Sequence, residues 1–282
     1  MADASLIGVG LVGTALAERF LAAGLSVVGY DVRSEALNAV SGLIAAESPK
    51  SAAEASTWIV LSLPDSDDVV KVIHEIEIVC RGKTIIDTTT GDPDRTAALG
   101  SRLHQAGIRY VDATISGSSR EVREGTAIVT AGGAEAVVQE CSQLFDLFAK
   151  RWFHVGPWGS GSRIKLVVNL VLGLNRAVLA EGLSFAKACG FELAATLEVL
   201  KAGPAFSRVM DTKGQKMLTG DFMPEARLRQ HWKDVRLIQS LAENLGISLP
   251  LSNVHQSLLA RLDAQGLGEL DNSVILRAYE GE

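Results

Sequence analysis

Leu6-Ile7-Gly8-Val9-Gly10-Leu11-Val12-Gly13-Thr14-Ala15-Leu16-Ala17 is the stretch whose reading decides the fold. A short apolar run enters a G-x-G-x-x-G turn, and residues 14–23 follow with helical character until Gly24 closes them. In such a turn the first glycine permits the tight bend. The second leaves room for a pyrophosphate, and the third lets helix and strand pack closely. Backbone N–H groups at the helix start then face an anion along a favourable dipole. In a chain with 27 glycines the turn alone could serve backbone geometry only, so its surroundings carry the decision. Asp31 ends the next apolar run, Val27-Val28-Gly29-Tyr30, about 18 residues beyond Gly13, near the roughly 20 expected of a ribose-binding acid. A carboxylate there accepts from both ribose hydroxyls and repels a 2′-phosphate, which favours NAD. Arg33, two residues on, keeps NADP possible. The cofactor turn is thus read as Gly8, Val9, Gly10, Leu11, Val12 and Gly13 with Asp31.

Outward from this unit the pattern repeats. Residues 58–63, 84–87, 110–112 and 126–131 read as further strands, and residues 34–40, 66–76, 94–106 and 134–147 as helices between them. Short apolar strands separated by helices predict an α/β doubly wound parallel sheet, because a parallel crossover needs a helix to return the chain. Ser62-Leu63-Pro64-Asp65 and Thr88-Thr89-Thr90-Gly91-Asp92-Pro93 follow two of the strands. Ligands of open sheets lie at the carboxyl ends of strands, so both loops are expected to line the cofactor cleft. Asp65, Ser66 and Asp92 are also placed to cap helices. Beyond Gly156 no convincing strand remains. Helices are expected over 163–188, 193–201, 205–217, 227–245 and 250–265. The chain divides into a dinucleotide-binding domain, 1–161, and an all-helical domain, 162–282, joined by a long helix over about 163–189. That helix is apolar on nearly every side, which predicts burial between domains or against another subunit, in a homodimer or homotetramer.

Composition narrows the function. Lys and Arg number 27 against 33 Asp and Glu, a formal charge of −6, so a polyanion-binding surface is not expected and neither nucleic acid nor an anionic membrane is an expected partner. Cys80, Cys141 and Cys189 are far apart and odd in number, which suggests neither a disulfide framework nor a zinc cluster. The five histidines show no metal-ligand spacing, and no metal is expected. The amino-terminal residues are too short and too acidic for a signal peptide. The most apolar stretch, 166–174, is broken by Asn169 and closed by Asn175-Arg176, so no bilayer span is expected. A soluble, cytoplasmic protein is the resulting expectation.

Three elements carry polar residues that a core does not explain. Asp112-Ala113-Thr114-Ile115-Ser116-Gly117-Ser118-Ser119 reads as a polar loop after a strand, suited to holding a carboxylate with hydroxyls and N–H groups. Gly156-x-x-Gly159-x-Gly161-x-x-x-Lys165-x-x-x-Asn169 places Lys165 and Asn169 on one face of an otherwise apolar helix. A buried lysine is rare unless paired or functional, the plain alternative being one that snorkels to solvent. His231-Trp232-Lys233-Asp234 lies on a helix of the second half; for His231 a surface or packing role is equally expected.

With these motifs in order, the chain resembles the β-hydroxyacid dehydrogenases, typified by 3-hydroxyisobutyrate dehydrogenase and tartronate semialdehyde reductase, over almost all of its length. The resemblance implies that Lys165 is the proton donor and acceptor, and that Ser116, Gly117 and Asn169, with Ser118 beside them, hold a small carboxylate-bearing substrate. Leu63, Pro64, Thr90 and Lys233 are implied contacts of the dinucleotide near its nicotinamide end. The chemistry agrees: an apolar setting disfavours the charged lysine and moves it toward the working pH of a general acid/base, while the nicotinamide carries the hydride. The implied reaction interconverts a 3-hydroxy acid and its semialdehyde or keto form. Two departures stand out. Ser118 replaces the family's second glycine, expected to narrow the pocket or add a hydrogen bond, with Arg120 or Arg123 available to grip an extra anionic group. Gly91 stands where bulkier residues are common, expected to enlarge the nicotinamide side of the cleft. Two other readings stay open, an imine reductase of the same fold, against which Lys165 argues, and a non-catalytic dinucleotide-binding module.

Overall fold

The computed structural model describes residues Met1–Tyr279. It separates into two compact units, Met1–Lys165 and a second from Leu166 onward.

In the first unit, β1 (Ala4–Ile7) runs into the glycine turn and α1 (Leu11–Ala22), followed by β2 (Val27–Tyr30), α2 (Ser34–Asn38), β3 (Ile44–Ala45), α3 (Pro49–Ala55) and β4 (Trp58–Leu61). Then come α4 (Ser66–Ile76), β5 (Thr84–Asp87), α5 (Pro93–Gln105), β6 (Arg109–Ser116), α6 (Ser119–Arg123), β7 (Ala127–Gly132), α7 (Glu135–Phe145) and β8 (Ala149–Gly156). The strands form one sheet in the order β3-β2-β1-β4-β5-β6-β7-β8. The order reverses between β1 and β4, which is where a doubly wound sheet opens its ligand crevice. Apolar strands are covered on both faces, one core gathering Leu6, Phe20, Val60 and Phe145 and the other Ile7, Ile59, Ile73 and Tyr110.

The parallel expectation holds through β6 and fails beyond it. β7 pairs antiparallel with β6, and β8 runs parallel to β7. The link from β6 to β7 holds only the five-residue α6, too short for a parallel crossover. β6 also continues through Ser116, so 112–116 is strand and not the polar loop expected. The alternation is the reason. Thr114 and Ser116 are polar yet strand-compatible, and Thr114 turns its hydroxyl to Thr130 across the pair at 2.9 Å. β3, α3 and β8 were not anticipated; β8 mixes charged and aromatic residues (Lys150-Arg151-Trp152-Phe153) and offers no clean two-residue alternation.

α8 (Ser160–Ala188) is continuous over 29 residues. α9 (Leu193–Ala202), α10 (Arg208–Thr219), α11 (Leu228–Asn244) and α12 (Pro250–Ala264) follow. Leu179 and Leu183 of α8, Met217 of α10, Val235 of α11 and Leu259 of α12 share the core of the second unit. By length and composition α8 is apolar enough to cross a bilayer, which the sequence did not lead one to expect: a single Asn169 does not lower the average of so long a run. Nor is the helix covered all round. Val167, Val171, Val178 and Phe185 are exposed, between 52% and 72%.

Candidate active site

The glycine turn is held from two sides. Gly8 takes a positive φ of 96°, and a side chain there would collide with the Ser62 carbonyl that follows β4. A side chain on Gly13 would collide with the Gly8 carbonyl, so α1 approaches β1 without a gap. A β-carbon on Gly10, by contrast, would meet nothing within 4 Å. Gly10 precedes α1, whose first turn has no acidic residue and no side-chain cap. An open, uncapped helix start beside a cradle of N–H groups is what a pyrophosphate requires, so these residues fit a dinucleotide. Leu11 and Val12 open α1, each half-buried.

Asp31 stands at the end of β2. One carboxylate oxygen accepts the Val9 N–H at 2.7 Å, and the other accepts the Arg33 N–H at 2.9 Å, with Arg33 Nε at 3.4 Å. Both neighbouring loops close on this crevice. Leu63 N–H donates to Thr89 Oγ1 at 3.1 Å, tying the loop after β4 to the loop after β5. Pro64 is exposed and Thr90 half-buried on these loops. Asp65 accepts from the N–H groups of Asp67 and Asp68, and Asp92 from those of Asp94 and Arg95, so both acids cap their helices as expected. Gly91 corrects one expectation. A β-carbon there would strike the Ser66 hydroxyl, which accepts the Asp92 N–H at 2.8 Å, so the glycine allows two loops to meet and does not widen a cleft.

At the end of β6 the Ser116 hydroxyl is buried and has no hydrogen-bond partner among the described residues. An orphaned hydroxyl of this kind costs free energy unless something supplies its bond. Gly117 follows, and then Ser118, which also starts a helix: its Oγ accepts the Glu121 N–H at 3.3 Å, and Glu121 reaches back to the Ser118 N–H at 2.9 Å, a capping box for α6. Arg120 pairs with Glu124 at 2.7 Å and Arg123 with Glu18 at 2.6 Å, so both guanidinium groups are engaged on the surface.

The start of α8 is bolted to β6. Asp112 accepts the N–H groups of Gly159 and Ser162, each at 3.0 Å, and Thr114 donates to the Gly161 carbonyl at 3.0 Å. Trp158 Nε1 donates to the Tyr110 carbonyl at 2.8 Å. Lys165 follows one turn after Gly161 and is 8% exposed. The sequence pointed to the 112–119 segment but not to Asp112 as the anchor of α8, since only the fold brings residues 112 and 159–162 together.

In the second unit Asn169 is buried and donates its side-chain amide to Asp234 at 2.8 Å. Lys233 Nζ lies 3.0 Å from the other oxygen of Asp234. Asp234 therefore joins two residues proposed from sequence, and its place beside Lys233 in the His231-Asp234 motif was the available signal. His231 is buried against His255, ring centroids 5.2 Å apart, where Gly173 leaves space for both rings. Burial, with Arg176 nearby, holds His255 down to about 4.

Residues 3–156 match the family described as the NAD-binding domain of 6-phosphogluconate dehydrogenase, and residues 159–279 the one described as NAD-binding of NADP-dependent 3-hydroxyisobutyrate dehydrogenase. The chain is 30% identical to 2-hydroxy-3-oxopropionate reductase of Escherichia coli (strain K12), the alignment covering 97% of this chain and 96% of that protein. It is also 30% identical to 2-(hydroxymethyl)glutarate dehydrogenase of Eubacterium barkeri, over 97% and 93% of the two chains. Among solved structures, 3-hydroxyisobutyrate dehydrogenase from Salmonella typhimurium superposes with a TM-score of 0.89 at 23% identity, covering 98% and 99%, a likeness of fold. The glycine turn with Asp31, the lysine one turn into α8 and matches along nearly the whole chain agree, and the chain belongs to the β-hydroxyacid dehydrogenase family of NAD(P)-dependent oxidoreductases.

Proposed function

We propose that this enzyme interconverts a small 3-hydroxy acid and its semialdehyde or keto form, with Lys165 as general acid/base. The observation that carries the reading is a lysine only 8% exposed, held one turn beyond a helix start that is anchored to the sheet. A bound nicotinamide supplies the hydride acceptor or donor. Lys165 Nζ takes the hydroxyl proton during oxidation and returns it to the carbonyl oxygen during reduction. The orphaned Ser116 hydroxyl offers the hydrogen bond a substrate carboxylate lacks once it leaves water. Gly117 follows Ser116 in a positive-φ conformation that favours glycine, and Asn169, fixed by Asp234, presents a second polar contact. Lys233, Leu63, Pro64 and Thr90 contact the dinucleotide in this reading, and Asp31 selects NAD, since a 2′-phosphate meets its carboxylate.

The relatives act, by their names, on 2-hydroxy-3-oxopropionate and 2-(hydroxymethyl)glutarate, both carboxylates with an oxygen one carbon beyond the α-position. The test is a panel of glycerate, 3-hydroxyisobutyrate, 2-(hydroxymethyl)glutarate and a cyclic imine, each with NAD(H) and NADP(H), read at the reduced-nicotinamide absorbance. Turnover of a 3-hydroxy acid supports the reading. Turnover of the imine alone favours an imine reductase, and cofactor binding without any turnover favours a binding module. The exposed apolar stripe of α8 supports self-association through that helix, in a homodimer or homotetramer.

A further inference from the structure

Asp112 has features of more than a buried strand residue. It is 1% exposed and carries its carboxylate among backbone groups instead of beside a cation. Its two oxygens accept the N–H groups of Gly159 and Ser162, both at 3.0 Å. These donors belong to the chain entering α8 and to its first turn, where helical N–H groups have no partner of their own. The carboxylate thus caps α8 from a neighbouring strand. Its setting is built around it. A β-carbon at Gly132 would come within 2.5 Å of one carboxylate oxygen, and one at Gly161 within 2.8 Å of the other. Lys165 rises from the same stretch of helix, four residues after Gly161.

We infer that Asp112 is a positioning residue for the reaction: its ionised carboxylate fixes the first turn of α8 and thereby the reach of Lys165. The inference rests on the acid/base reading of Lys165. A carboxylate accepts both N–H groups as strong, charge-assisted bonds, whereas protonation removes the charge and leaves the hydroxyl oxygen a much weaker acceptor, so the bond on that oxygen slackens. The titratable groups around it are Asp87 on β5, whose α-carbon pairs in register with that of Asp112, and Tyr110 on β6, whose hydroxyl donates to Asp87 at 2.8 Å. Both surround Asp112 with negative or neutral partners.

Burial pushes the Asp112 carboxyl up to about 6, and Asp87 adds to that, against the lowering effect of the Ser162 and Gly159 N–H groups. A folded-state pKa above the ordinary value near 3.9 means that stability falls as pH rises through the window between them. Ionised Asp112 is therefore a cost to folding at neutral pH, retained for what it holds. Below about pH 6 the clamp loosens and turnover falls, while the cofactor turn at Gly8–Gly13, on other strands, is untouched.

The experiment compares wild type, Asp112→Asn and Lys165→Ala. It measures kcat and KM for the fastest-reacting substrate of the panel from pH 5 to 9, NADH affinity, and amide exchange of the peptide spanning 157–168. In Asp112→Asn the amide nitrogen faces an N–H group and one bond is lost. The expected result is faster exchange confined to that peptide, kcat lower by about ten- to a hundredfold, NADH affinity within about twofold, and loss of the acidic limb near pH 6. Unchanged kcat, with the limb intact, overturns the inference whether or not exchange rises. Should Asp112→Asn fail to fold, the wild-type profile decides. Loss of amide protection confined to the 157–168 peptide as wild type passes below about pH 6, with kcat falling in step, supports the clamp, and protection unchanged across that range overturns it. Full activity in Lys165→Ala would instead defeat the acid/base reading, a result distinct from either.

Discussion

The Asp31 carboxylate accepts the Val9 N–H at 2.7 Å, so the acid that ends β2 is fastened to the glycine turn that ends β1. One side chain thereby shapes the turn, its second oxygen accepting the Arg33 N–H at 2.9 Å, and in the proposed reading the same carboxylate meets the ribose. Asp31→Asn separates the two roles, because the amide oxygen still accepts from Val9 while the charge is gone. The expected outcome is a KM for NAD raised about tenfold and a lower KM for NADP, measured by steady-state kinetics with both cofactors. Unchanged preference would show that Asp31 serves only the turn.

Lys165→Ala is expected to lower kcat by roughly 100- to 10,000-fold, the range of general acid/base catalysis, with NADH still bound. Lys165→Arg should not restore the rate, since a guanidinium stays protonated throughout the working range. Near-wild-type turnover in either variant contradicts the proposed role.

Asp234 holds Asn169 at 2.8 Å in a buried setting. Asp234→Ala removes that acceptor and frees the amide, which is expected to raise the KM for the hydroxy acid about tenfold or more. Asp234→Asn keeps an acceptor oxygen and should be clearly milder. Equal effects of the two variants would show that the Asn169 contact is not what matters.

Lys213 and Asp271 form a buried ion pair at 2.9 Å in the second unit, with the Glu225 and Ser273 N–H groups also on Asp271. Burial pushes the Asp271 carboxyl up, but Lys213 and these N–H groups more than offset it and leave it below the ordinary range. A depressed carboxyl contributes stability that is present above the unfolded pKa, near 3.9, and lost as pH falls through the folded value. Lys213→Ala strands the carboxylate and should cost about 3–5 kcal/mol in denaturant unfolding at neutral pH. The difference from wild type should shrink in acid below about pH 4; a constant difference would argue against the pair as its source.

Val167, Val171, Val178 and Phe185 recur at helical spacing on the exposed side of α8. Phe185→Glu is expected to lower the solution mass by light scattering while leaving the far-ultraviolet circular dichroism unchanged. A wild-type chain that runs as a monomer would remove this proposal.

The dinucleotide unit was legible in the chain because its signals are local. The glycine turn, Asp31 and the caps Asp65 and Asp92 each act on residues within a few positions or on the next strand. The reversed pair β7 and β8 was not legible, since strand direction depends on how the chain returns and β8 lacks alternation. The cap that Ser118 makes for α6 was not legible for a related reason: a hydroxyl near a site and a helix cap look the same until Glu121 is seen to answer it.

By itself the sequence determined where the longer helices lie, which turn is shaped for a pyrophosphate and which lysine is out of place in an apolar helix. Periodicity and residue chemistry act over short distances and survive in one dimension. Tertiary structure decided the partners: Asp112 under the start of α8, Asp234 on Asn169, Gly91 against Ser66. Those contacts join residues 25 to 65 positions apart, and hydrogen bonding at about 3 Å is set only when packing has fixed both backbones.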